Sequence, residues 1–254
     1  MTFSFVPSAL SATMVALACL ATTAQAQAPA NGSVALPAAA NNAASVTAPQ
    51  VVAHYAHLRH SNYSDTLAAA KAMQTAISAF TSQPSAATLA EARKTWLAAR
   101  EFYGQTEAFR FYGGPIDNDN GPEGRINAWP MDESFVDSVQ GKASAGLVNN
   151  RKFVISKKNL SAQNERGGEE NIATGWHAIE FFLWGQDVSD TGPGERSFED
   201  FVDGKAPNAD RRRQYLNVVT ELLIDDLTSL VKAWAPDAKN NYRARFVKGN
   251  RESL

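Results

Sequence analysis

Between Asp210 and Trp234 the apolar residues Leu216, Val219, Leu223, Leu227, Leu230 and Trp234 return at steps of three and four. That period lines one face of an α-helix and cannot line a face of a strand, so it constrains the fold more than any other feature of the chain. Pro236 ends the pattern. Three further segments read as helices. The stripe Tyr63, Leu67, Ala70, Ile77 and Phe80 is closed by "SQPS" from Ser82 to Ser85, and a second run from about Ala87 to Phe111 stops at Gly113, Gly114 and Pro115. The third, "NIATGWHAIEFFLWGQD" from Asn171 to Asp187, is expected to end at Gly185. No run alternates with period two. Amphipathic helices without strands must cover their apolar stripes with one another, so the class is all-α, an antiparallel helical bundle. Two long connections, from Gly113 to about Met131 and from Gly185 to about Asn208, are rich in Gly, Pro, Asp and Asn. Irregular segments of that length on a compact bundle are often functional.

At 254 residues and 44% hydrophobic content the chain can bury a substantial core. Its net charge of −2 and its scattered basic residues, apart from the run Arg211, Arg212 and Arg213, argue against a nucleic-acid partner. The apolar stretch "ALSATMVALACLA" from Ala9 to Ala21, followed by "AQA" at Ala24 to Ala26, predicts an export signal over residues 1–26 with cleavage after Ala26. The mature protein is then expected in the periplasm or cell envelope. Cys19, the only cysteine, lies inside that signal. The competing expectation is a lipid anchor on Cys19, the one route to membrane contact. Residues 27–49, free of charge and rich in Ala, Asn and Pro, predict a flexible linker ahead of a helical domain over 50–254.

Two sets of residues carry possible chemistry. His177 and Glu180 stand three positions apart in an otherwise apolar run, a spacing that lets an imidazole and a carboxylate converge on one point of a helix face. A carboxylate among "AI" and "FFLW" is costly to bury without a partner such as a cation or metal. In the second long helix, Trp96, Arg100, Tyr103, Glu107 and Arg110 share a face. That face is either solvated and laced with ion pairs or a polar seam towards a shared site.

With Gly175 two positions before the histidine, the pattern is G-x-H-x-x-E, and "TGWHAIEFFLWGQD" resembles the signature of the imelysin family. These are bacterial envelope proteins described as insulin-cleaving membrane proteases and as iron-regulated proteins. "TWLAAREFYGQTEAFRFYGGPID", "INAWPMDESFVD" and "RRRQYLNVVTELLIDDL" resemble family segments in the same order, so the likeness runs from about Val51 to Trp234. The resemblance implies two bundle-like helical halves with the motif near their interface. It also implies a chain that stops short of the family's usual length and supplies the first half to two-thirds of the fold. Through the resemblance His177, Glu180 and Glu107 are expected as metal ligands, with Arg100, Tyr103 and Asp117 around them.

A zinc peptidase needs three protein ligands, an activated water and a base. The motif is neither H-E-x-x-H nor H-x-x-E-H, because Phe181 stands where the latter has its second histidine. His54, His57 and His60, spaced by threes, are the other histidines and are expected to be exposed. A histidine with carboxylates suits a divalent or ferric ion, iron first and zinc as the alternative. The expected function is therefore an exported metal-binding envelope protein of iron acquisition or sensing, with an envelope iron-transport component as possible partner. The alternatives are a metallopeptidase, in which Glu180 is ligand or base, and a non-catalytic helical scaffold.

Overall fold

The computed structural model describes residues 46–249. The expected export signal with Cys19, and the linker up to residue 45, lie outside them. The first helix, α1 (Ala48–Ser82), begins two residues ahead of the expected domain boundary. Its start is fixed locally, because the Gln50 side chain accepts the Thr47 backbone N–H at 2.8 Å. Tyr63, Ala70, Met73, Ile77 and Phe80 are fully buried along it. A three-residue turn leads into α2 (Ala86–Gly104), where the Ser85 hydroxyl accepts the Thr88 N–H at 3.2 Å. So short a turn makes the two helices antiparallel neighbours.

The second helix was expected to run to Phe111, but α2 ends at Gly104 and the chain tightens into a 3-10 turn over Gln105–Phe109. Glycine is a poor helix former, and helix ends commonly narrow in this way. Between there and the motif come four short helices: α3 (Glu123–Ile126), α4 (Glu133–Val136), α5 (Gly146–Asn149) and α6 (Lys157–Gln163). The motif helix α7 (Gly175–Trp184) is shorter than the apolar run around it, and a 3-10 turn at Phe198–Phe201 follows. The long α8 (Ala209–Trp234) packs on α1 and α7, and α9 (Tyr242–Phe246) folds back on its end. Among the described residues there is no strand, and no helix is long and apolar enough to cross a membrane.

What holds the irregular middle of the chain is the basic run of α8. Arg211 donates to the carbonyls of Leu147, Val148, Asn150 and Phe153 at 2.7–3.1 Å. Arg213 binds the Asp203 carboxylate at 2.9 and 3.0 Å. Arg212 reaches the fully buried carboxylate of Asp137 through Nε at 2.6 Å and Nη2 at 3.1 Å. Arg196 joins the same carboxylate at 3.0 Å. The one concentration of positive charge in the sequence is thus consumed in building the fold.

Candidate functional site

Two features of α7 place the motif. Gly175 has φ +81°, and a Cβ there would lie 2.3 Å from the carbonyl oxygen of Ile126 and 2.5 Å from that of Arg125. Only glycine permits both this left-handed conformation and so close an approach. The Thr174 hydroxyl fastens the same point, at 2.9 Å from the Arg125 carbonyl and 3.0 Å from Asn164 Oδ1. The glycine of the motif is therefore a packing requirement of the helix start. One turn on, His177 Nδ1 and Glu180 Oε2 are 3.0 Å apart, with side chains 16% and 42% exposed. The pair lines a cavity of about 390 Å³.

The indole of Trp129 leans on the His177 ring with centroids 4.7 Å apart and is itself 70% exposed. Opposite stand Glu133, at the start of α4, and Asp187, just beyond α7. Burial pushes the Glu133 carboxyl above its ordinary range, Arg196 opposes this, and Asp187, Asp132 and Glu180 add to the rise. Glu133 therefore feels the charges of Asp187 and Glu180, which line the same cavity. Sequence reasoning missed Trp129, Glu133 and Asp187. The first two fall inside "INAWPMDESFVD", but Trp129 lies in irregular chain and Glu133 begins a single-turn helix, where spacing carries little information about direction.

The stripe on α2 turns out to be a polar seam. Trp96 is 5% exposed and Tyr103 is fully buried. Arg100 donates to Asn127 Oδ1 at 2.9 Å, and the Asn127 amide donates to Glu107 at 3.2 Å. Arg110 lies between Glu107 and Glu123, at 3.0 and 2.9 Å. Burial, with Glu107 next, raises the Tyr103 phenol far above its usual range. Asp117 accepts the backbone N–H of Phe111, which has φ 71°, and so holds the turn after α2. Glu107 is engaged by Arg110 and Asn127 rather than by the motif. Among the described residues no three of His, Cys, Asp and Glu are grouped closely enough to hold a metal ion. His177 and Glu180 thus come together as a pair, while Arg100 and Glu107 join a separate network through Asn127, Tyr103 lies beneath the Arg100 guanidinium at 5.0 Å, and Asp117 holds the turn at Phe111. His54 and His57 are exposed as expected, whereas His60 is partly buried, and burial, then Arg243 and His57, push its imidazole below its ordinary value.

An all-helical fold whose motif helix presents a paired histidine and glutamate to an open cavity defines a class of helical domains bearing G-x-H-x-x-E. The family model described as Imelysin (peptidase M75) matches residues 59–254, and the chain belongs to that family. Iron-regulated protein A of Synechococcus elongatus is 37% identical over 71 residues, which is 28% of this chain and 19% of that protein. A crystal structure described as an iron-regulated protein A precursor from Parabacteroides distasonis is 23% identical, with a TM-score of 0.56. It is matched over 82% of this chain and 52% of its own, so the likeness is one of fold, and the chain spans about half that relative's length.

Proposed function

We propose that this is an exported cell-envelope protein that handles iron, in acquisition or sensing, through His177 and Glu180. The observation that carries the reading is the 3.0 Å contact between His177 Nδ1 and Glu180 Oε2 at the wall of an open cavity. Donors 3.0 Å apart are spaced as two adjacent ligands of one ion about 2.1 Å from each, so a metal would take the place of the hydrogen bond between Nδ1 and Oε2. One imidazole nitrogen and one carboxylate oxygen suit ferrous, ferric or zinc ions. They are short of the three protein ligands that a zinc peptidase requires. The remaining positions would be filled by water or by donors brought with the ion, on a chelator or on an envelope iron-transport partner. When bound, the ion would supply Lewis acidity at the cavity wall. The residues of this chain orient it and limit access to it. The family's similarity to proteins described as iron-regulated supports iron over zinc.

The test is titration of the purified mature chain with ferrous, ferric and zinc ions, alongside elemental analysis, for wild type, His177→Ala and Glu180→Ala. Stoichiometric binding lost in both variants is the expected result. Unchanged affinity in folded variants refutes the assignment. Cleavage of an unfolded polypeptide that stops on chelation would favour a peptidase instead.

A further inference from the structure

The cavity beside the motif has a character that a metal ligand pair does not explain. Its lining includes Glu133, Glu180 and Asp187 but no lysine or arginine. Among the described residues none of the three carboxylates pairs with a lysine or arginine, and Glu180 has only His177. The Arg196 guanidinium that influences Glu133 is bound to Asp137. Tryptophan rings share the lining with the acids. Trp129 presents an open indole, Trp184 lines the wall, and the nearly buried Trp96 closes the floor. The Trp184 ring already has one guanidinium over it, that of Arg93 at 5.7 Å.

Among the described residues no three His, Cys, Asp or Glu side chains converge, which suits a bare ion poorly, since it needs its donors at bonding distance. Acids and indole faces in one lining match a cation whose charge is diffuse and carried on an apolar stem, because a ring face attracts the charge while the acids neutralise it at longer range. Two of the apolar lining residues are widely open to solvent, Trp129 at 70% and Leu97 at 58% exposed, and form an apolar rim. An amine small enough to enter alone would leave that rim uncovered, whereas the neighbours of a basic residue in an extended chain would lie along it.

We propose that the cavity formed by Trp129, Glu133, Trp184 and Asp187 beside His177 receives a lysine or arginine side chain of a partner polypeptide, its flanking residues resting on Leu97 and Trp129. The inference goes beyond the metal reading and does not require an ion at His177.

Binding of a capped Ala-Leu-Lys-Leu-Ala peptide to the full chain, measured calorimetrically in EDTA, tests it against the same peptide with acetylated lysine and against n-butylamine. The lysine peptide binds saturably, acetylation weakens it at least about ten-fold, and butylamine binds more weakly than the peptide. Trp129→Ala and Glu133→Gln each weaken the peptide by about five-fold, the scale of one cation–π contact or one exposed charge. Asp187→Asn is the second acidic variant, should Glu133→Gln alter α4. Equal binding of the acetylated peptide, no saturable binding, or wild-type affinity in the folded variants overturns the proposal. Butylamine binding as tightly as the peptide also overturns it, in favour of a small amine. Chelation separates the two readings: EDTA abolishes metal binding and leaves the affinity for the peptide within about two-fold of its value without chelator. Peptide binding without metal binding sinks only the metal assignment, and the converse sinks only this one.

Discussion

Replacing Asp137 by asparagine should be among the most damaging single changes in the described chain. The carboxylate has no exposed surface and takes two hydrogen bonds from Arg212, at 2.6 and 3.1 Å, and one from Arg196 at 3.0 Å. Both guanidinia are themselves only 5% exposed. An asparagine fills the same space but removes the charge and turns an amide donor towards donors, leaving Arg212 without its ion-pair partner and Arg196 with only the more distant Asp200. Breaking a buried pair from one side costs about 3–5 kcal/mol. At a urea slope of about 2 kcal/mol per molar, the unfolding midpoint should fall by about 2 M with the slope unchanged. Asp200→Asn is the internal control, since Asp200 stands 3.8 Å from Arg196 and is 42% exposed, and should cost less than about 1 kcal/mol. Acid unfolding gives a second readout. Burial alone would raise the Asp137 carboxyl, but hydrogen bonding from Arg212 and the charges of Arg196 and Arg212 outweigh it and hold it below the usual carboxylate range. Its contribution is therefore fully present above the unfolded aspartate value of about 3.9 and is lost as pH falls through the lower folded value. Wild type should show that acid-dependent loss and the asparagine variant should not. A midpoint shift equal to that of Asp200→Asn would refute the reasoning.

Gly175→Ala should destabilise by more than about 2 kcal/mol, combining a left-handed backbone with a clash against the Ile126 carbonyl; thermal melts showing less than about 1 kcal/mol would count against that placement. Glu107→Gln should leave metal affinity at His177 and Glu180 within about two-fold, because Glu107 is held by Arg110 and Asn127. A ten-fold loss in titration would show that it reaches the ion. Intact-mass analysis of protein recovered from the envelope should give a chain beginning at Gln27, whereas a lipid-modified Cys19 at the new N-terminus would favour anchoring.

How far each part could be read from the sequence follows from how local its causes are. The ends of α1 and α8 fell within a few residues of expectation, because a long apolar stripe and a proline or polar stop are properties of the segment itself. The motif helix was harder to bound. Nearly every residue of α7 is buried, so it has little polar face to show a period, and its start is set by a carbonyl contact from a distant segment. The short helices α3 to α6 were not seen at all. They are too brief to be stable alone, and they are held by partners far off in sequence, such as Arg211 on the carbonyls after α5. The same division runs through the site. His177 and Glu180 lie one helical turn apart and could be paired from spacing, while Trp129, Glu133 and Asp187 reach the cavity only through the course of irregular chain and the single-turn α4.

That course is itself traceable to α8. Arg125, whose carbonyl receives the Thr174 hydroxyl and lies against Gly175, is held by the Asp226 carboxylate of α8 through Nε at 3.2 Å and Nη2 at 2.7 Å. Two residues further on, Asn127 takes the Arg100 guanidinium of α2 and donates to Glu107; two more bring Trp129 against His177. A single stretch from Arg125 to Trp129 therefore links α8, the polar seam of α2 and the motif helix. The bidentate pair is the anchor of that stretch, and rigid support of this kind determines how well a pair such as His177 and Glu180 can hold a ligand. Asp226→Asn should consequently weaken ligand binding at the cavity more than it lowers global stability, since Arg125 is 36% exposed and its release is solvated locally. Measuring both on the same preparation distinguishes this from simple unfolding: a loss of binding that merely tracks the unfolded fraction would rule it out.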